Sequence, residues 1–366
     1  MFRIAKNGWW CVSYPIARSR STHQMVSSPR ECELMNMDSV GTLEPFNSPT
    51  VRLERLFDAP EIQVFAKLDS LQLSGSTKER TAGSLVNAFI SSGQLKAGGM
   101  VIESTSGNLG IALARQCVVR GIKFVAVVDE NANKSAVDIM RAYGAHVELV
   151  LDPADGNKLA ARRRKVQQLL AENPGAVTTN QYGSPHNPAA HFSSTMPEIM
   201  EALDGRLDML FVATSTTGTI LGCQNYVRDH GLATKLIAVD AMGSVLFGGE
   251  SGNRRLPGLG AGIVPELSLQ AEPDRVFRIP EIDMVHGCRK LARSEGILAG
   301  ASTGAIVAAM GQMLPEIPSG SRIAFLVHDS GVPYLHSVYN EEWVRENLGE
   351  EPEAFGDALL EDQAAQ

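Results

Sequence analysis

Ser74-Gly75-Ser76-Thr77-Lys78-Glu79-Arg80 sets one lysine among small residues, between an apolar run at 62–68 and a helix-like run from Glu79 onward. A lysine at such a strand-to-helix turn, flanked by Gly and Ser, leaves room for a bulky group bound to its amine. Desolvation and neighbouring positive charge lower an amine's pKa until it can attack a carbonyl. Taken alone, a lysine after Ser-Gly-Ser-Thr is more often a solvated residue at a helix start. The rest of the chain decides between the two.

Outward from that turn the pattern is regular. Continuously apolar runs at 62–68, 100–103, 124–129, 146–151, 210–214, 236–240 and 323–327 read as strands buried on both faces. Between them, helix-like runs fall at 79–92, 108–120, 135–143, 156–171, 188–203, 219–230, 282–295 and 304–313. The alternation predicts βαβ units and largely parallel sheets, in two three-layer α/β domains. The expected division is 45–190 for the first domain and 191–348 for the second, with some N-terminal residues crossing over to it. Residues 1–44 lack periodicity and a secretory apolar core, and read as a disordered extension or an upstream start, with Met25, Met35 and Met37 as other starts. The tail 349–366 is acidic and expected to be mobile.

The net charge of −8 argues against a nucleic-acid footprint. Cys11, Cys32, Cys117, Cys223 and Cys288 lack the spacing of a disulfide framework or zinc site, and fit a reducing cytoplasm. No apolar run reaches the roughly 18 residues of a membrane span.

Ligands of open α/β sheets bind where strands end and helices begin. Four such loops carry polar groups. Glu103-Ser104-Thr105-Ser106-Gly107-Asn108 places hydroxyls and amides at a helix N-terminus, a site for an α-carboxylate or simply a capped helix. Ser215-Thr216-Thr217-Gly218-Thr219 forms a cup of donors suited to a phosphate held without lysine or metal; it is not a Walker A loop. In Gly300-Ala301-Ser302-Thr303-Gly304, a serine hydroxyl is suited to bond a pyridine nitrogen without keeping it protonated, although a plain helix cap is the commoner meaning. Asn180-Gln181-Tyr182-Gly183-Ser184-Pro185 is a structured loop whose Gln181 and Tyr182 are placed to line a pocket. His186 and His191 lack metal-site spacing and read as structural. The Gly258-Leu259-Gly260-Ala261-Gly262 run fails the dinucleotide fingerprint, since no strand precedes it and Pro265 follows; it reads as a hinge or a loop packed near a cofactor. Together the loops supply what pyridoxal phosphate bound to Lys78 as a Schiff base needs.

From about residue 48 to 348 the chain resembles the fold-type II pyridoxal-phosphate enzymes of the cysteine synthase family. The resemblance rests on SGSTKER, ESTSGNLGIALA, NQYGSPHNPAAH, STTGT, GLGAGIVP, GILAGASTGA and HDSGVPYL, in that order. It implies a tryptophan-synthase-β-like fold and a usual homodimer. It implies that Lys78 binds the cofactor and moves the α-proton, and that Ser104, Thr105, Ser106 and Gln181 hold the substrate carboxylate. Asn108 would meet the cofactor's O3′, Ser215 to Thr219 its phosphate, and Ser302 its ring nitrogen.

Two departures, Leu109 where the family tends to have Thr and Ser215-Thr216-Thr217-Gly218-Thr219 in place of GTGGT, resemble the branch that makes N-(2-amino-2-carboxyethyl)-L-glutamate. That branch joins O-phospho-L-serine and L-glutamate through an aminoacrylate, on the way to 2,3-diaminopropionate for siderophores. The likeness implies that Arg162 meets the substrate phosphate, with Tyr182 and Ser215 on the acceptor side. The alternatives are a cysteine synthase using O-acetylserine or O-phosphoserine with sulfide, and a non-catalytic regulatory protein keeping the fold. A nicotinamide dehydrogenase is disfavoured by the failed glycine run.

Overall fold

A computed structural model of the chain describes residues 44–151 and 158–349. All but the last residue of the expected N-terminal extension, the start of the helix expected at 156, and the tail beyond 349 lie outside these residues.

Two sheets organise the fold. The larger has six strands: β1 (Thr50–Leu53), β2 (Gln63–Lys67), β6 (Met209–Ala213), β7 (Lys235–Ala241), β8 (Arg275–Ile279) and β9 (Arg322–Leu326), in the order β1-β2-β9-β6-β7-β8. All its neighbours pair in parallel except β1 with β2. The smaller sheet is parallel, in the order β3 (Met100–Ser104), β4 (Lys123–Asp129), β5 (His146–Val150). The class is α/β with mostly parallel strands. The chain thus enters through the larger sheet, builds the smaller one, and returns.

Helices cover both faces of each sheet, which is why the inner strands are largely apolar on both faces, whereas the edge strands β1, β5 and β8 carry polar residues. Leu85 and Val86 of α1 (Lys78–Ser91), Ala112 and Leu113 of α2 (Asn108–Val119), and Met140 of α3 (Lys134–Ala142) pack on Val101, Phe124 and Ala126 of the small sheet. Val166 of α4 (Lys158–Glu172) covers its other face, against Ile102 and Val127. The large sheet buries Phe211, Val239 and Phe325 under α8 (Glu281–Glu295) and α9 (Ala301–Met313), and Leu210, Ala238 and Leu326 under α6 (Met196–Ala202) and α7 (Gly218–Asp229).

The helix expected over 188–203 is not uniform. It runs as α5 (His186–Ala190), a π turn (His191–Thr195) and α6. Pro197 explains the break, because it has no amide to continue the regular ladder. Two strands and one helix escaped the sequence pattern. β1 is only four residues long, β8 interleaves arginines as an edge strand can, and α10 (Glu341–Leu348) is short and acidic.

Candidate active site

The lysine turn is tied to the segment after β9. Thr77 N donates to His328 O (2.8 Å) and Ser330 N to Gly75 O (3.1 Å), while Ser76 and Asp329 pair as an isolated antiparallel bridge. Lys78 is the first residue of α1, half-buried in the wall of a cavity of about 840 Å³. Burial holds its amine below the ordinary lysine value, against the opposing pull of Asp329 and Asp69.

Beneath the turn lies a buried charge network. Arg80 donates to Asp69 (Nη2 to Oδ1, 2.9 Å) and to both oxygens of Glu198 (2.7 Å each). Lys67 reaches Glu198 at 2.6 Å. This ties α1 to β2 and α6, and fixes the helix that presents Lys78. Burial works to raise the Asp69 carboxyl, but Arg80, Ser48 and Thr77 outweigh it and hold it at about 2.

At the end of β3, Glu103 accepts from the amides of Ser104 (3.0 Å), Thr179 (3.0 Å) and Asn180 (3.1 Å), and from the hydroxyls of Thr178 and Thr179. One buried carboxyl therefore clasps the 178–180 segment to the 104–107 loop, and sets Gln181 and Tyr182 opposite it. The Ser104 hydroxyl is buried without a partner. Asn108 opens α2 and its Nδ2 donates to Asp329 (2.8 Å).

The loop after β6 is built to leave its amides free. Thr217 is the N-cap of α7 in the left-handed conformation (φ 63°, ψ 1°). Among the described residues, the amides of Ser215, Thr216, Thr217 and Thr219 have no acceptor. Donors at a helix N-terminus with the dipole behind them form an anion site. Asn187 braces this loop, donating to Thr216 Oγ1 (3.1 Å) and Gln181 O (2.8 Å). A Cβ at Gly218 would collide with the Asn187 amide, so that position is held to glycine. The glycine run at 258–262 closes the other side, with Gly260 N on Thr214 O (2.8 Å) and Ser215 Oγ on Gly260 O (2.9 Å).

Lys78, Ser104, Thr105, Ser106, Asn108, Arg162, Gln181, Tyr182, Ser215, Thr216, Thr217, Thr219 and Ser302 all line the same cavity, whereas Gly218 is not part of its lining. Arg162 Nε stands 3.1 Å from Asp129 Oδ2, and burial raises the Tyr182 phenol. His191 lies outside the lining, with Nε2 against the hydroxyls of Thr81 (3.3 Å) and Thr219 (3.2 Å). It connects α1 to the phosphate-type loop as a structural residue. Among the described residues no group of three or more His, Cys, Asp or Glu side chains is arranged to hold a metal, and no helix is long and apolar enough to cross a membrane.

Sequence reasoning gave no role to Glu103, His328 or Asp329. The signal was present for the last two. They lie two and three residues beyond β9, a buried parallel strand, at the kind of position that singled out the loops after β3 and β6.

Residues 42–329 match the family described as Pyridoxal-phosphate dependent enzyme. The chain is 43% identical, over 81% of its length and 88% of the relative's, to an N-(2-amino-2-carboxyethyl)-L-glutamate synthase of Ralstonia nicotianae. Among solved structures it resembles an O-ureido-L-serine synthase (31% identity, TM-score 0.74, covering 86% of this chain and 96% of that one). It is also similar to an O-acetylserine-dependent cystathionine β-synthase of Helicobacter pylori (28% identity, TM-score 0.74, covering 80% and 96%).

Proposed function

This chain belongs to the pyridoxal-phosphate-dependent enzymes and takes pyridoxal 5′-phosphate as its cofactor; on that footing we propose that it joins O-phospho-L-serine to L-glutamate, releasing phosphate and N-(2-amino-2-carboxyethyl)-L-glutamate. The observation that carries the reading is the 43% identity, across most of both chains, to a synthase of that product.

The residues present fit the cofactor. The unpartnered amides of the 215–219 loop at the start of α7 suit its phosphate. The Lys78 amine, kept below its ordinary pKa by burial, suits its carbonyl carbon. Ser302 and Asn108 stand in the same cavity, for the ring nitrogen and the phenolic oxygen. When bound, the cofactor supplies an electron sink for the pair left at Cα.

The chain's own groups do the rest. The 104–107 loop and the α2 N-terminus hold the substrate carboxylate, with Gln181 orienting it. Lys78, whose amine burial keeps below its ordinary pKa, would take the Cα proton and later return it. Arg162 offers a cation to the leaving phosphate, which departs as a dianion. The amine of glutamate then bonds to Cβ, with Tyr182 and Ser215 on its side of the cleft. The half-buried Tyr182 phenol, whose pKa burial raises, stays neutral and serves as a hydrogen-bonding wall.

Purified holoenzyme incubated with O-phospho-L-serine and either L-glutamate or sulfide tests the proposal by mass spectrometry. The expected product is the glutamate adduct with stoichiometric phosphate. Cysteine as the sole product would replace this reading with a cysteine synthase.

A further inference from the structure

Asp329 occupies the point where three pieces of the cavity meet. Its segment pairs with the lysine turn through Ser76, and its carbonyl accepts from Gly300 N (3.2 Å), just before the helix that carries Ser302. Its buried carboxyl accepts from Asn108 Nδ2 (2.8 Å) and from Tyr334 OH (2.7 Å), both at Oδ2. The other oxygen, Oδ1, is buried with no hydrogen-bond partner. It points toward Gly300, where any Cβ would overlap it. The Ser302 hydroxyl stands against the same carboxyl.

Two donors on one oxygen and none on the other is the pattern of a carboxylic acid rather than a carboxylate. Oδ2 behaves as the carbonyl oxygen, and Oδ1 is the place for a proton. The surroundings agree in direction. Burial raises the Asp329 carboxyl, while Tyr334, Asn108, Lys78 and Ser302 pull it back without cancelling the rise. Cys288 of α8 and Tyr339, which stands before α10, also face it, and both are neutral at ordinary pH because burial raises them.

We infer that Asp329 is a positioning residue: once the cofactor is bound, its protonated Oδ1, which has no other partner, donates a hydrogen bond to the Ser302 hydroxyl and so turns that hydroxyl's own proton toward the cofactor's ring nitrogen. Oδ2 at the same time holds one N–H of Asn108, leaving its second N–H for the phenolic oxygen. One acid group thus sets the hydrogen-bond polarity at both positions. A carboxylate there would reverse it, since Ser302 would donate to Asp329 and could only accept from a protonated ring nitrogen. The inference rests on the placement of Ser302 and Asn108 given above.

The test uses the holoenzymes Asp329→Asn, Asp329→Ala and Ser302→Ala, reading pyridoxal phosphate affinity and the visible absorbance and emission of the bound cofactor from pH 6 to 9. Asn keeps an acceptor for Asn108 and Tyr334 and a fixed donor for Ser302. Asp329→Asn is therefore expected to retain the wild-type spectrum across that range and affinity within about threefold. Asp329→Ala is expected to bind about tenfold more weakly and to show a shifted spectrum. Asp329→Ser carries the same expectation should the alanine variant not fold. An Asp329→Asn spectrum shifted as far as that of Asp329→Ala overturns the inference, because a carboxylate is then required. A Ser302→Ala shift with unchanged Asp329→Ala overturns it while leaving Ser302 in place. An unchanged Ser302→Ala spectrum overturns both together.

Discussion

Arg80 shows how much of this site is maintained by a residue that never meets the cavity. It is 2% exposed and satisfies two carboxylates, Asp69 and Glu198, at the base of the helix that starts with Lys78. A buried ion network of this kind adds little when compared with an apolar core of the same shape, but removing one partner strands the others. Arg80→Met is therefore expected to lower stability by about 3–5 kcal/mol, read as a reduced urea midpoint. A midpoint equal to wild type would mean that Asp69 and Glu198 are satisfied elsewhere. At the same scale Thr217 holds a left-handed conformation costly for a β-branched residue. It does so because the loop must turn its amides inward, and that need was invisible in the string Ser-Thr-Thr-Gly-Thr.

At the scale of elements, the sequence was legible wherever a strand is buried on both faces. The apolar runs around β3, β4, β6, β7 and β9 matched the observed strands to within one or two residues, since helices cover both sides of each. The loops after β3 and β6 were legible because a parallel strand feeding a helix leaves its polar groups at one rim. Legibility failed where local pattern and tertiary placement part. β1 is held by pairing with β2 rather than by its own four residues, and the π turn at 191–195 answers to Pro197. Glu103 was quoted as part of a motif, yet its function as a clasp depends on Thr178, Thr179 and Asn180, about 75 residues away. No local spacing announces such a contact.

At the scale of the whole molecule, several buried groups bind the fold to pH. His328 accepts from Ala213 N (3.2 Å), and burial, reinforced by Lys78, lowers its imidazole to about 3 from an ordinary 6.5. A depressed pKa stabilises the fold above the unfolded value, and that contribution is lost as pH falls. Between pH 6.5 and about 3 the unfolded chain takes a proton that the folded chain refuses. Asp69 adds the same sign lower down, from 3.8 to about 2. Asp240 opposes the trend, since burial raises it to about 6 and its contribution is lost as pH rises through that value. His328→Gln removes one titrating site, so the slope of its unfolding free energy against pH between 6 and 4 is expected to be lower than that of the wild type by about 1.4 kcal/mol per pH unit. Equal slopes in urea titrations of the two proteins would show that His328 is protonated in the fold.

All of these arrangements converge on Lys78, presented by α1, flanked by the 104–107 loop, and tied through Ser76 and Thr77 to the segment that carries Asp329. The measurement that bears on this most directly is reductive trapping. Holoenzyme is treated with borohydride and digested, and its peptides are mapped by mass spectrometry. The phosphopyridoxyl group is expected on the peptide containing Lys78 and on no other, and Lys78→Ala should carry none and lose turnover. The group on a different lysine, or a fully active Lys78→Ala enzyme, would contradict the account.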